Sequence, residues 1–405
     1  MAPRPMPATL TRRAALLGLG AAVTLGNASL ALADAPTDRR LVVLILRGAM
    51  DGLAAVPPYG EPALAALRGE LLPPPPGQPG GLLDLGGFFG LHPALAGLHG
   101  LYGRGELLIV HAAAGNWRSR SHFEAQDYLE LGGGKTLSGT GWLNRVAGAM
   151  AATSAGGLRA LAIGPELPLL LRGPAPVGTW QPNALGKPPL DFYATLARLH
   201  RADRLTGPAI ASGLRERGVT AQILAGQIPA GAEPPRDHGA FATLASGGAR
   251  LLAAPDGPRL AAFELGGWDT HEAQKGRLDA VLAQLDAGLL ALRAGLGEAW
   301  TRTAVLVITE FGRTVRVNGT KGTDHGTGSV AFVLGGRVAG GRVARDWPGL
   351  APGRLVDGRD LAATTNIHAL AAALLRDHLG LNDRAIAAVF PDHPPGERVA
   401  GVMRV

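Results

Sequence analysis

Four apolar runs constrain this chain more than anything else in it: LVVLIL at 41–46, LLIVHAAA at 107–114, LAAFEL at 260–265 and TAVLVIT at 303–309. A strand with one wet face alternates apolar and polar residues, whereas a strand covered on both faces reads as a continuous apolar run. Between these runs lie segments with helical spacing. LHPALAGLHGLYGRG has Pro93 near its start and Gly103 and Gly105 at its end, and HFEAQDYLELG stops at a Gly run. RLDAVLAQLDAGLLALRAGL repeats apolar residues at helical spacing, and DLAATTNIHALAAALLRDHLGL carries Thr364, Thr365 and Asn366 near its N-terminus. Further helices are expected over 189–203 and 238–254, and further strands in GLRALAIG and SVAFVLGGRV. Strands alternating with helices predict an α/β fold with a mainly parallel sheet. The segment LLPPPPGQPGG reads as a loop, since neither a helix nor a central strand tolerates it.

In open sheets of this kind ligands sit beyond the carboxyl ends of the strands. The polar residues that directly follow the apolar runs are therefore the ones to inspect. They are Arg47 to Gly52, with Asp51; Gly115 to His122, with Ser119, Arg120 and Ser121; Gly266 to His271, with Asp269; and Glu310 to Arg313, followed after an excursion by Asp324 and His325 in GTDHGTG. Each has a plainer reading. Asp51 before Gly52 fits an ordinary turn, and Asp269-Thr270-His271 fits a helix cap. Ser121 lies three residues before Glu124, the capping-box spacing. The case for function is their expected convergence on one rim. Carboxylates mixed with imidazoles suit divalent Zn, Mn or Fe better than a Ca or Mg cage. One or two such ions per chain are expected. Two ions side by side stabilise both the attacking and the leaving oxygen of an in-line displacement. Ser121, at a helix start, is the candidate nucleophile, with Ser119 as its competitor. Arg120 and Arg313 are candidates to clamp a phosphate or sulfate.

The N-terminus reads as an address. A basic segment ending in Thr11-Arg12-Arg13 is followed by the apolar stretch Ala14 to Leu25 and by small-residue patterns at Ala31-Leu32-Ala33 and Ala33-Asp34-Ala35. This is the layout of a cleaved leader over residues 1–35. Its paired arginines point to the twin-arginine export machinery and to a periplasmic or otherwise exported product. No transmembrane segment is expected after its removal. The remainder, 36–405, is expected to be a single α/β domain. Among 405 residues there is no Cys, which excludes disulfides and thiolate sites. Gly (60) and Pro (31) make up about a fifth of the chain, above the usual ~12%, which implies long loops around the core. The net charge of +7 is carried by scattered Arg rather than by basic blocks, which argues against nucleic-acid binding.

The segments LRGAMDGL, RSRSHFEAQDYLELG, GGWDTHE, TEFGRT and GTDHGTGSVAFVLGG together resemble the signatures of the domain of unknown function 1501 family over residues 40–385. That family comprises exported bacterial proteins, usually with a twin-arginine leader, and is similar to the alkaline phosphatase and sulfatase superfamily. The resemblance implies a three-layer α/β/α sandwich and a two-metal site. In it Asp51, Asp324 and His325 hold one ion, and Asp269 and His271 hold the other. It places the nucleophile near Ser121. His368 is the candidate for the superfamily's last histidine ligand, Glu310 is an alternative carboxylate candidate for that place, and His122 is a candidate ligand or substrate contact. This chain departs from the superfamily pattern in having only Thr270 between Asp269 and His271, and in lacking the sulfatase Cys-x-Pro-x-Arg motif. The expectation is an exported metal-dependent hydrolase acting on an anionic phosphate or sulfate ester. The competing reading is a non-catalytic metal-containing binding or assembly protein of the cell envelope.

Overall fold

A computed structural model describes residues 38–404 except 134–138, 151–157, 183–194, 196, 204–206, 208–209, 212–213, 215–238, 345 and 393–396. The expected leader over 1–35, and residues 189–194 and 196 of the expected helix over 189–203, lie outside the described residues. The chain divides into two compact units. Among the described residues of the smaller, Met1–Ser29 with Leu185–Gln222, 195, 197–200, 207, 210–211 and 214 are helical and 201–202 form a turn. The larger, Leu30–Ala184 with Ile223–Val405, is the α/β unit described below.

Its elements run β1 (Arg40–Leu46), α1 (Gly52–Ala55), α2 (Leu64–Arg68), β2 (Leu83–Asp84), β3 (Gly90–Leu91), α3 (Ala96–Gly103), β4 (Leu107–Ala114) and α4 (His122–Leu131). There follow α5 (Trp142–Ala149), β5 (Ala160–Ile163), β6 (Val177–Trp180), α6 (Gly239–Ala253), β7 (Leu260–Leu265), α7 (Gln274–Leu296) and β8 (Thr303–Thr309). The last are β9 (Ser329–Leu334), β10 (Arg342–Ala344), β11 (Thr365–Asn366), α8 (Ile367–Asp377) and α9 (Asp383–Val389). The main sheet has the order β10-β4-β9-β8-β1-β7-β5-β6, with β11 beside β4. Its ladders are parallel except those of β9, which runs antiparallel to both β4 and β8.

The continuous apolar runs are explained by the layers. Alternate residues of β1 point to opposite faces, as the pleat requires. Leu41, Val43 and Ile45 join one core with Leu129 of α4, Trp142 of α5, Leu370 of α8 and Ile386 of α9. Val42, Leu44 and Leu46 join the other core with Leu98 of α3, Leu252 of α6 and Leu285 of α7. The result is a three-layer α/β/α sandwich. The stretch Gln274–Arg302 is by length and composition apolar enough to cross a membrane. Its apolar residues face the sheet instead. Leu278, Leu282, Leu285, Leu289 and Leu292 are buried, while Lys275, Gly276 and Arg277 at its start are exposed. It is a core helix here.

The register sets the rim. Leu46 at the end of β1 pairs with both Leu265 of β7 and Thr309 of β8, so three strands stop at one level. Ser329, which begins β9, pairs with Ala113 near the end of β4. Antiparallel β9 therefore brings its leading loop, 310–328, to the same edge as the ends of the parallel strands.

At the end of α8, His378 is buried, and its Nε2 lies 2.9 Å from the Arg40 carbonyl. Its Nδ1 is buried with no hydrogen-bond partner. Burial is the main cause that lowers its pKa from 6.5 to about 4. Between those values the unfolded chain binds a proton that the folded chain refuses, so stability is complete above about pH 6.5 and falls as the pH drops toward 4. Denaturation followed across that window should lose roughly 3 kcal/mol to this one group. His378→Asn should flatten the slope. An unchanged slope would show that His378 is not the titrating group.

Candidate metal centre

Three imidazoles and one carboxylate meet at the rim. His122 begins α4, Asp269 and His271 follow β7, and His325 precedes β9. His325 Nε2 lies 3.0 Å from His122 Nε2 and 2.9 Å from His271 Nε2. Asp269 Oδ1 lies 3.0 Å from His271 Nε2, 3.3 Å from His325 Nε2 and 3.6 Å from His122 Nε2.

The other ring nitrogens decide the protonation. His122 Nδ1 lies 2.8 Å from Glu310 Oε1, His271 Nδ1 3.0 Å from Asp324 Oδ1, and His325 Nδ1 2.8 Å from the Arg120 carbonyl. All three partners only accept, so each Nδ1 carries the proton and donates it. In the neutral rings the three Nε2 atoms then present bare lone pairs to one another, which is repulsive unless a cation lies among them. The donors fit a metal ion. Donors bonded at about 2.0–2.1 Å around a tetrahedral ion stand about 3.3–3.4 Å apart, and the five separations above run from 2.9 to 3.6 Å. His122, Asp269 and His325 form one triad, and His271 Nε2 lies beside it, 2.9 Å from His325 Nε2 and 3.0 Å from Asp269 Oδ1. Imidazoles that donate outward to carboxylate or carbonyl groups are the usual second layer of such centres.

Electrostatics follow from these contacts. The Glu310 hydrogen bond raises the His122 pKa above the ordinary imidazole value, with burial opposing it. Burial lowers that of His325, and the charges of His122 and Arg313 add to the effect. Burial pushes the Asp269 carboxyl up, but the Arg313 hydrogen bond and charge outweigh it, so its pKa lies below the usual range. Glu310 is likewise held low against its burial by His122, Gln126 and the Gly48 N–H. Hydrogen bonding from Asn318 and His271 lowers Asp324.

The surrounding loops are locked in demanding conformations. Arg313 is buried and donates to the carbonyls of Gly48, Ala49, Trp268 and Thr323 and to Asp269 Oδ1 at 2.5 Å. One side chain thus ties together the loops after β1 and β7 and the loop before β9. Gly48, at φ +117°, permits the close approach: a Cβ there would meet the Asp269 backbone nitrogen. Ala49, Ala273 and Lys321 hold φ values of 64°, 44° and 60°, costly for residues with side chains.

Several expected roles are reassigned by these contacts. Asp51 is not joined to the histidines. Arg68 Nη1 and Nη2 grip its two carboxylate oxygens at 2.7 Å each, Gln274 Nε2 donates to Oδ2 at 2.6 Å, and the Ala54 N–H is capped by Oδ1 at 3.2 Å. The guanidinium of Arg120 faces Asp360 and Asp357, and its contribution to the centre is its carbonyl. Arg313 is committed to carbonyls and Asp269, so neither arginine is free to clamp an anion. His368 is buried, its Nε2 lies 3.2 Å from the Leu129 carbonyl, and its ring stacks on Phe390. Asp324 and Glu310 hold histidine rings from outside rather than facing the donor cluster. Ser121 occupies the N-cap position of α4, but its side chain makes no capping bond, so the capping box with Glu124 is not formed. Ser119 Oγ instead accepts from the Ser121 N–H at 3.2 Å. The Pro-rich loop lines a cavity of about 330 Å³ with His92, Gln274 and Lys275, and none of the four donors lines it.

Gln126, Asn318 and Arg68 were not singled out from the sequence. Gln126 had a signal: it lies four residues after His122, on the same helix face, and both side chains reach Glu310 Oε1. Arg68 and Asn318 had none, because only the folded loops bring them to their partners.

No curated protein matches the chain. Among solved structures, a phosphonate monoester hydrolase of Agrobacterium radiobacter is similar at 14% identity and a TM-score of 0.34, over 88% of this chain and 78% of that one. Residues 118–390, from the Arg118 motif through the Asp324-His325 loop and beyond, match the family described as "Protein of unknown function (DUF1501)", and the chain belongs to that family.

Proposed function

We propose that this chain is an exported, metal-dependent hydrolase of phosphate or sulfate esters. The observation that carries the reading is the cluster of His122, His271 and His325 Nε2 within 3.6 Å of Asp269 Oδ1 at the sheet rim. Borderline imidazole donors with one carboxylate favour Zn, Mn or Fe. When bound there, such an ion supplies Lewis acidity toward an ester oxygen. The chain's own groups do the rest. Ser121 directly precedes His122, its hydroxyl is not spent on capping, and its place at the N-terminus of α4 favours an attacking alkoxide and a bound anion. Arg118, exposed on the same loop, makes no ion pair among the described residues and is the cation left for the substrate's anionic group. Export and a periplasmic destination rest on the leader pattern of residues 1–35.

The test is an assay of purified, metal-loaded protein against aryl phosphate and aryl sulfate esters. Ser121→Ala should lower turnover on the order of 10³-fold or more while leaving the metal content unchanged. Equal rates in wild type and Ser121→Ala would remove Ser121 from the mechanism. No turnover above background with any of the three metals would remove the hydrolase. One observation favours a second reading, a non-catalytic envelope binding or assembly protein. Four protein side chains offer donors there, the number that structural sites use, whereas catalytic sites commonly keep a position open. Tightly bound metal with no turnover is the result expected of that protein.

A further inference from the structure

We infer that the centre takes a single ion, and that the guanidinium of Arg68 stands in for the positive charge a second ion would bring to Asp51. The inference rests on the metal reading above and goes beyond it in the number of ions. The five ligands expected to be shared between two ions do not form two sets. His271 and His325, expected on different ions, lie 2.9 Å apart at Nε2 and share one carboxylate oxygen, Asp269 Oδ1. They are ligands of one point.

Each of the remaining carboxylates already holds a cation or hydrogen-bond donors. Both oxygens of Asp51 are gripped by Arg68, and each side chain is about 1% exposed. A second ion on Asp51 would displace a buried guanidinium and leave it unpaired, and an uncompensated buried charge is strongly unfavourable. Glu310 Oε1 receives the Gly48 N–H, His122 Nδ1 and Gln126 Nε2, and its Oε2 receives the Thr309 hydroxyl. Asp324 Oδ1 receives His271 Nδ1 and Asn318 Nδ2. Asp360, fully buried, is held at Oδ2 by Arg120 and Thr327, and its Oδ1 lies 3.2 Å from Arg359 Nε. The Asp51–Arg68 pair still serves the centre. Gln274 donates to Asp51 and accepts from the Thr323 hydroxyl at 2.6 Å, and Thr323 directly precedes Asp324 and His325. Asp51 and Arg68 are thus positioning residues for the loop that presents His325. Charge on a displaced group would be met by one ion only, which excludes a two-metal clamp.

The full chain, saturated with Zn²⁺ and passed through a desalting column, should retain one ion by elemental analysis. Co²⁺ titration should reach its visible-absorption endpoint at one equivalent. Asp51→Asn should retain one ion, and His325→Ala none. Two ions in the wild type, with one lost in Asp51→Asn, would overturn the single-ion inference while leaving the metal reading intact. No ion in the wild type would overturn both. If Asp51→Asn fails to fold, the wild-type count and the Co²⁺ endpoint decide.

Discussion

His325→Ala is expected to lose tight metal binding altogether, with metal affinity down by more than about 100-fold and ester hydrolysis at background. His325 sits at the middle of the cluster, with its Nε2 within 3.3 Å of His122, His271 and Asp269. Removing an outer partner of a metal-bound imidazole already costs about 10–100-fold in affinity, and removing the central donor costs more. Asp324→Asn gives the graded control. It keeps the shape but weakens the acceptor that orients the His271 ring, so a loss of about 10–100-fold is expected. Metal-competition titration with a chromophoric chelator measures both. If His325→Ala retains wild-type affinity, the four donors are not a metal centre and the functional proposal falls with them. Circular dichroism separates lost ligation from lost folding, because His325 is a loop residue outside the strands and helices.

Arg68→Met is expected to destabilise the fold by about 3–5 kcal/mol, because it leaves a buried carboxylate without its charge partner. The residue makes two hydrogen bonds of 2.7 Å to Asp51 from a site 1% exposed. Surface pairs such as Arg376–Asp383, with the aspartate 65% exposed, contribute little by comparison. The double variant Asp51→Asn, Arg68→Met should be less destabilised than Arg68→Met alone, since it removes both charges together. Urea denaturation of the three variants gives the cycle. A loss below about 1 kcal/mol in Arg68→Met would show that the pair is hydrated rather than buried.

Much of the architecture was legible because burial on both faces leaves a simple trace. LVVLIL, LAAFEL and TAVLVIT became β1, β7 and β8, side by side and parallel, and the helical segments became the two outer layers. Local chemistry was also legible at single positions. Asn366 caps α8 by accepting from the His368 N–H, and Gly132 ends α4 in the left-handed conformation. Ser121 shows the limit of such rules: the spacing to Glu124 is right, yet its hydroxyl does not cap. Sequence spacing states which groups are in reach, while the loop's path decides which of them bond.

The same division holds at the centre. The residue types alone marked Asp269, His271, Asp324 and His325 as polar clusters beside buried strands, and that depended only on their place after apolar runs. What each carboxylate does could not be read that way. Asp51 and Asp269 both follow buried parallel strands, yet Asp51 meets Arg68 from beyond α1 and Asp269 meets Arg313 and the histidines. The difference lies in which distant cation the loops deliver to each. The antiparallel course of β9, which returns Asp324 and His325 to the rim, is likewise a property of the chain's path. By itself the sequence determined the layers and the stock of ligands at one sheet edge, because burial and periodicity are local. Only the tertiary structure decided which donors cluster around Asp269, because that depends on contacts between residues as far apart as His122 and His325.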